Sequence, residues 1–164
     1  MRTFILFSFF LSLSSDLYSA PALPSSKTAS IVNFELRDPK TKEVYFTGQE
    51  KISQDAKSVH KETLYFDTSK KAVQKESIDF EPNSLRAITY TLKNAITGEE
   101  STVTGKDTGL AVSYRPTQDG KIVSSLIKTS NDAFLAKNAG DLILQHWDSL
   151  LAGKAIRFEL VVPS

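Results

Sequence analysis

A side-chain period of two, running from Ile31 to Ile127, constrains this chain more than any other feature. Successive residues of an extended strand point to opposite faces, whereas a helix repeats every 3.6 residues. Val32, Phe34 and Leu36 alternate with Asn33 and Glu35, and Asp38-Pro39-Lys40-Thr41 supplies a turn before Val44-Tyr45-Phe46. The polar, lysine-rich stretch from Gln49 to Lys57 reads as a loop. Val59 to Phe66 then turns at Asp67-Thr68-Ser69-Lys70 and returns as Ala72 to Phe80. After the break at Glu81-Pro82-Asn83, Ile88, Tyr90 and Leu92 share one face and Thr89 and Thr91 the other. Thr97-Gly98 turns the chain into Ser101 to Thr104, and Leu110, Val112 and Tyr114 form the next inward set. Asp119-Gly120 is the sharpest hairpin signal, because both residues tolerate positive φ, and Ile122 to Ile127 is the returning strand.

The period changes only near the C-terminus. Ile143, Trp147, Leu150 and Leu151 fall at helical spacing, Asp141 is placed to cap the N-terminus, and Gly153 stands where a left-handed C′ residue belongs. The spacing predicts a helix over about 141–152 whose apolar stripe packs on the sheet. Ile156, Phe158, Leu160 and Val162 then alternate with Arg157 and Glu159 as a strand with one buried face. Trp147, Leu151, Gly153, Phe158 and Leu160 are therefore expected to act structurally. The predicted fold is mainly β: eight to ten antiparallel strands in a strongly curved sheet or incomplete barrel, with one helix packed against it.

The first residues carry a different message. Arg2, an apolar run from Phe4 to Leu13 and then small residues form the three-part pattern of a secretory signal. The run is too short to cross roughly 30 Å of hydrocarbon at about 1.5 Å per residue. Cleavage at Ala20-Pro21-Ala22 predicts a signal over 1–22, a Pro/Ser leader over 23–30 and a single β-rich domain over 31–164. That remainder is long enough for one core. There is no Cys, so no disulfide braces the exported domain, a pattern that fits a bacterial periplasmic or extracellular protein. A formal net charge of +1 provides no field for a nucleic-acid partner.

Candidate chemistry is sparse. Asp107-Thr108-Gly109 has the tripeptide of aspartic proteases, but it follows Thr104-Gly105-Lys106 rather than an apolar strand, and a turn explains it. Gly105-Lys106 lacks the spacing and the Ser/Thr of a phosphate loop. His60 and His146 are the only imidazoles, and a zinc site would need both plus carboxylates such as Glu62 or Asp148. No G-x-S-x-G supports a Ser nucleophile. The lysines between Lys51 and Lys75 are interleaved with Glu50, Asp55, Glu62, Asp67 and Glu76, so a solvated strand face is expected there. The residues thus predict no catalytic group, no metal site and no cofactor.

His60-Lys-Glu-Thr-Leu-Tyr-Phe-Asp, Lys75-Glu-Ser-Ile-Asp-Phe, Asn131-Asp-Ala-Phe and above all His146-Trp-Asp-Ser-Leu-Leu-Ala-Gly-Lys-Ala-Ile-Arg-Phe-Glu-Leu-Val-Val-Pro-Ser resemble a family of uncharacterised exported bacterial β-proteins. In that family a helix ending Trp-Asp-x-Leu-x-x-Gly precedes a strand ending Pro-Ser-Arg and further β structure. The resemblance covers roughly the last two thirds of the chain and implies that this sequence lacks C-terminal strands; it supplies no catalytic residues. The expected function is non-enzymatic: holding an apolar or lipid-like molecule on a concave sheet face in the periplasm or outside the cell. An envelope protein captured through an exposed sheet edge is the alternative, and a hydrolase using Asp107 a third. Nothing points to a membrane-spanning chain, and no oligomeric state follows from the residues.

Overall fold

The alternation becomes eight strands joined in chain order: β1 (Thr28–Arg37), β2 (Val44–Gln54), β3 (Val59–Phe66), β4 (Ala72–Phe80), β5 (Ala87–Asn94), β6 (Glu100–Lys106), β7 (Gly109–Arg115) and β8 (Val123–Lys128). The computed structural model describes residues 28–129 and 133–163, so the expected signal segment lies outside it. Every neighbouring pair is antiparallel, in the order β1-β2-β3-β4-β5-β6-β7-β8, and β1 does not pair with β8. The sheet is therefore open at both edges. β2 continues through Gln54, so most of the stretch expected to be a loop from Gln49 is strand. Lys51 there alternates with the inward Glu50 and Ile52, while Lys57 lies in the β2–β3 connection.

Three connections share one turn. The carbonyls of Asp38, Glu81 and Asn94 each accept the amide N–H four residues on, at 2.9 Å, and the residue that closes the turn is left-handed: Lys42 (φ 64°), Leu85 (φ 55°) and Gly98 (φ 74°). In two of them the first side chain stabilises the turn, because Asp38 Oδ1 and Asn94 Oδ1 each accept the N–H groups two and three residues ahead. Only Gly98 is also confined sterically, since a Cβ there would stand 2.4 Å from the backbone nitrogen of Gln118. The Asp119-Gly120 signal resolves differently. Gly120 does not take positive φ; it closes a turn from Thr117, whose carbonyl accepts its N–H at 2.9 Å, within a longer connection from Pro116 to Ile122.

The C-terminal residues fold back as one unit. β9 (Ala133–Leu135) leads through a 3-10 turn (Ala136–Asn138) into α1 (Ala139–Gln145) and α2 (Trp147–Leu151), and β10 (Glu159–Val161) pairs with β9 in parallel. The unit covers one face of the sheet, here called the inner face. Leu135, Leu142 and Val161 join Val59, Ile78, Phe80, Ala87, Tyr90, Val103, Leu110 and Val112 in a continuous buried core. Each large side chain removed from water in this way contributes about 1.5–3 kcal/mol.

The helix differs from its prediction in ways that trace to docking. It begins at Ala139 and breaks at His146 (φ −106°, ψ 13°). Asp141 is not its cap; it forms an ion pair with Lys61 on β3. That pair, with Gln145 Nε2 donating to the Asn83 carbonyl at 2.7 Å, turns Leu142 into the core and leaves Ile143, Trp147, Leu150 and Leu151 outward. Trp147 and Leu151 are 43% and 69% exposed, so neither plugs the sheet. Gly153 does end the helix as expected. Its φ is 73°, its N–H reaches the Leu150 carbonyl and the Lys154 N–H reaches that of Ser149, each at 3.0 Å. Phe158 packs against the core, but Leu160 is 41% exposed. Pairing of Val161 with Leu135 sets the opposite alternation in β10, and a one-residue change of register exchanges the faces.

Candidate functional site

Strand register divides the inner face into rows that run across the sheet. One row reads Ser30, Ile52, Lys61, Ile78, Tyr90, Val103, Val112 and Ser125, and most of it lies in the core. The next row reads Val32, Glu50, Thr63, Glu76, Leu92, Ser101, Tyr114 and Val123. Two carboxylates, Glu50 on β2 and Glu76 on β4, thus occupy inner positions on either side of Thr63 on β3, where the alternation calls for apolar groups.

Lys137, from the 3-10 turn, neutralises part of this charge. Its ammonium lies 3.0 Å from Glu76 Oε2, donates to Thr63 Oγ1 at 3.0 Å and stands 3.7 Å from Glu50 Oε2. The Thr63 hydroxyl in turn donates to Glu50 Oε2 at 2.9 Å. Gln74 Nε2 donates to Glu76 Oε1 at 2.6 Å, and Asn94 Nδ2 donates to Gln74 Oε1 at 2.9 Å. A hydrogen-bond chain therefore runs from the β5–β6 turn to the middle of the inner face. Lys137 also lies 5.8 Å from the Tyr65 ring centroid, within cation–π range.

The carboxylates act on the titration of Lys137 and of the nearby phenols. Desolvation pulls the Lys137 pKa down, but the charges of Glu76, Tyr65 and Glu50 outweigh it and hold the ammonium above the usual lysine value. Burial, then the Glu76 charge, raises the Tyr65 and Tyr90 phenols. The cluster of two carboxylates and one ammonium keeps one negative charge in excess. Beyond it, Phe34 lies over Gly48, where a Cβ would meet the ring at 2.1 Å, and stacks edge-to-face with Tyr65 at 5.6 Å. Val32, Phe34, Leu36 and Phe46 make an apolar shelf on β1 and β2 that stands outside the buried core; Val32 is 48% exposed and the others are half-buried.

The residues singled out for chemistry do not converge. Asp107 and Thr108 are exposed in the β6–β7 turn, and Gly109 follows them because a Cβ there would stand 2.1 Å from the Ile127 carbonyl oxygen on β8. His60 lies on the opposite, outer face, where Nδ1 contacts Asp79 Oδ1 at 2.7 Å and Thr89 donates to Asp79 Oδ2 at 2.7 Å. The hydroxyl thus meets the carboxylate rather than the imidazole, which is not the order of a nucleophilic triad. His146 marks the helix break, far from any such pairing. Among the described residues no group of three or more His, Asp or Glu side chains could hold a metal ion, and no helix is long and apolar enough to cross a membrane.

Lys137 escapes notice in the sequence, and its partners Glu50 and Glu76, expected on a solvated strand face, instead face inward. Glu50 and Glu76 share the parity of Phe46, Ile52, Ile78 and Phe80, and that is the one signal that marks them as inward-facing. Buried Asn138 was equally hidden: its Nδ2 donates to the Leu85 carbonyl at 3.1 Å and fixes the strained β4–β5 turn under the helix. The chain matches no protein-family model, no curated protein and no solved structure.

Proposed function

We propose that the protein is a non-catalytic binding protein of the bacterial periplasm or exterior, and that its inner sheet face receives an apolar, lipid-like molecule. The observation that carries this reading is the unequal cover of that face. The C-terminal unit seals Ile78, Phe80 and Val103, while Val32, Phe34, Leu36 and Phe46 remain outside the core. An uncovered aromatic and aliphatic shelf bounded by a few fixed polar groups is the usual composition of a small-molecule site. The Lys137 cluster forms that polar boundary. The secretory pattern at residues 1–22 and the resemblance to exported bacterial β-proteins support the location.

Mass spectrometry of an organic extract of the purified protein tests this. The expected result is a stoichiometric apolar molecule that is lost in Val32→Glu, a change the half-exposed site tolerates. Protein that yields no such molecule from its native compartment rejects the proposal.

A second reading, capture of an envelope protein by strand addition, is favoured by one observation. β8 is an edge strand with an unbroken register to β7, no Pro and a single charge, Lys128, while Val123 and Leu126 are exposed. It lacks the devices that normally blunt an edge. Ser124→Pro removes a backbone donor from that edge, since the alternation of the ladder turns Ser125 toward Val112 and Ser124 outward; loss of complex formation on light scattering, with the apolar ligand retained, would select this reading over the first.

A further inference from the structure

The outer face carries a second feature, independent of the inner shelf. Where β4 begins and β5 ends, a groove of about 450 Å³ opens beneath the β5–β6 turn. Its apolar surface comes from Leu64, Val73 and Ala95, and Lys75, Lys93 and Arg115 supply its cations. One wall is rigid, because the β5–β6 turn is clamped on the β7–β8 connection: Gln118 N–H donates to the Thr97 carbonyl at 3.3 Å, over the close approach at Gly98.

Three observations about charge point the same way. Lys75 and Lys93 are directly opposite each other in the β4–β5 ladder, a like-charge pair that costs stability in a sheet. Lys75 is relieved by Glu62 at 2.7 Å, but Lys93 has no ion pair among the described residues. Arg115 gives Nη2 to Glu100 at 3.1 Å and Nη1 to the Gln118 carbonyl at 3.3 Å, yet its Nε–H is buried and meets no acceptor. A buried donor without an acceptor is costly. The acidic groups nearby are already engaged: Glu62 by Lys75, Glu100 by Arg115 and Glu99 by the Tyr114 hydroxyl.

We propose that this groove binds a small amphipathic anion, with a carboxylate head on the opposed Lys75 and Lys93 and an apolar body along Leu64, Val73 and Ala95; Glu100 stands between Lys93 and Arg115 in the strand register and already serves the guanidinium. Such a head would pair the Lys93 ammonium and offset the repulsion across the Lys75–Lys93 pair, where charge-assisted bonds are strong. The volume lies within the usual range of about 300–1,000 Å³ for small-ligand sites.

Isothermal titration of the full chain with decanoate, decanol and inorganic phosphate tests the assignment. Decanoate is expected to saturate one site, and decanol and phosphate each to bind at least about tenfold more weakly, equivalent to about 1.4 kcal/mol. Lys93→Gln, an exposed change that leaves the core untouched, is expected to weaken decanoate at least about threefold, as loss of one partly screened ion pair implies. Lys75→Gln is expected to weaken it as well, because the head loses the second cation of the opposed pair. Val32→Glu on the inner face leaves decanoate binding here intact, which separates this site from the shelf. Absence of saturable decanoate binding overturns the proposal. So does decanol or phosphate binding as tightly as decanoate, or an affinity unchanged in Lys93→Gln.

Discussion

The two halves of the inner face obey the same alternation and end in opposite states. On β3 to β7, beneath β9, α1 and β10, the inward side chains Ile78, Phe80 and Val103 are sealed by Leu135, Leu142 and Val161. On β1 and β2 the inward side chains Val32, Phe34, Leu36 and Phe46 stop at half-burial or less, and between the halves stands a charged cluster around Lys137. A strand pattern thus fixes which side chains face together, but a second layer decides whether that face becomes a core. Stability should reside under the C-terminal unit, and the exposed half should contribute less.

The comparison breaks most visibly through its aromatic residues. Phe80→Ala empties a site that is 2% exposed and should cost about 3–5 kcal/mol, whereas Phe34→Ala on the open shelf should cost about half as much or less. Urea denaturation followed by circular dichroism checks both; equal losses would mean that the two halves are equally packed.

The boundary between the halves is sharpened by Lys137→Met. Removing the ammonium leaves Glu76 buried and Glu50 nearby without compensation. Breaking a buried pair costs about 3–5 kcal/mol, and the residual 17% exposure of Lys137 reduces the expectation to about 2–3 kcal/mol. Combining it with Glu50→Gln and Glu76→Gln should recover most of that loss, because the uncompensated charges go with it.

Alkaline pH probes the same boundary. The Lys137 ammonium and the Tyr65 and Tyr90 phenols all have folded-state pKa values above their unfolded ones, so the folded chain holds protons that the unfolded chain releases. Their contribution is fully present below about pH 10 and declines as pH rises beyond it. Urea midpoints at pH 8 and pH 11 should therefore differ, and by less in Lys137→Met. The smallest effect belongs to the edge of the covering unit. Gly153→Ala forces an L-residue to φ 73° and should cost about 1–2 kcal/mol. It should leave the apolar shelf unaffected.

How far these features can be read in the residues follows from their range. Alternation and turn formers reveal the strands, since both act over a few neighbours, and Thr97-Gly98 and Gly153 sit where their left-handed geometry is required. Glu50 and Glu76 could be placed inside by parity, but their partner is remote: Lys137 bonds Thr63 across a separation of 74 residues. The docked side of the helix was equally hidden. Leu142 and Ile143 are neighbours of similar hydropathy, and the contacts of Asp141 with Lys61 and of Gln145 with Asn83 choose between them. Short β10 takes its parity from β9 rather than from its own pattern. The Lys75–Lys93 opposition in the outer groove needs the register of two strands, which composition does not contain.

Residue-resolved native-state hydrogen exchange tests most directly the claim that stability is confined to the covered half. Amides of β4, β5 and β6 are expected to exchange only through global unfolding, while those of the β1–β2 pair open at a free energy at least about 2 kcal/mol lower. Equal protection of the two groups would contradict the division of the inner face and, with it, the open shelf on which the proposed binding role rests.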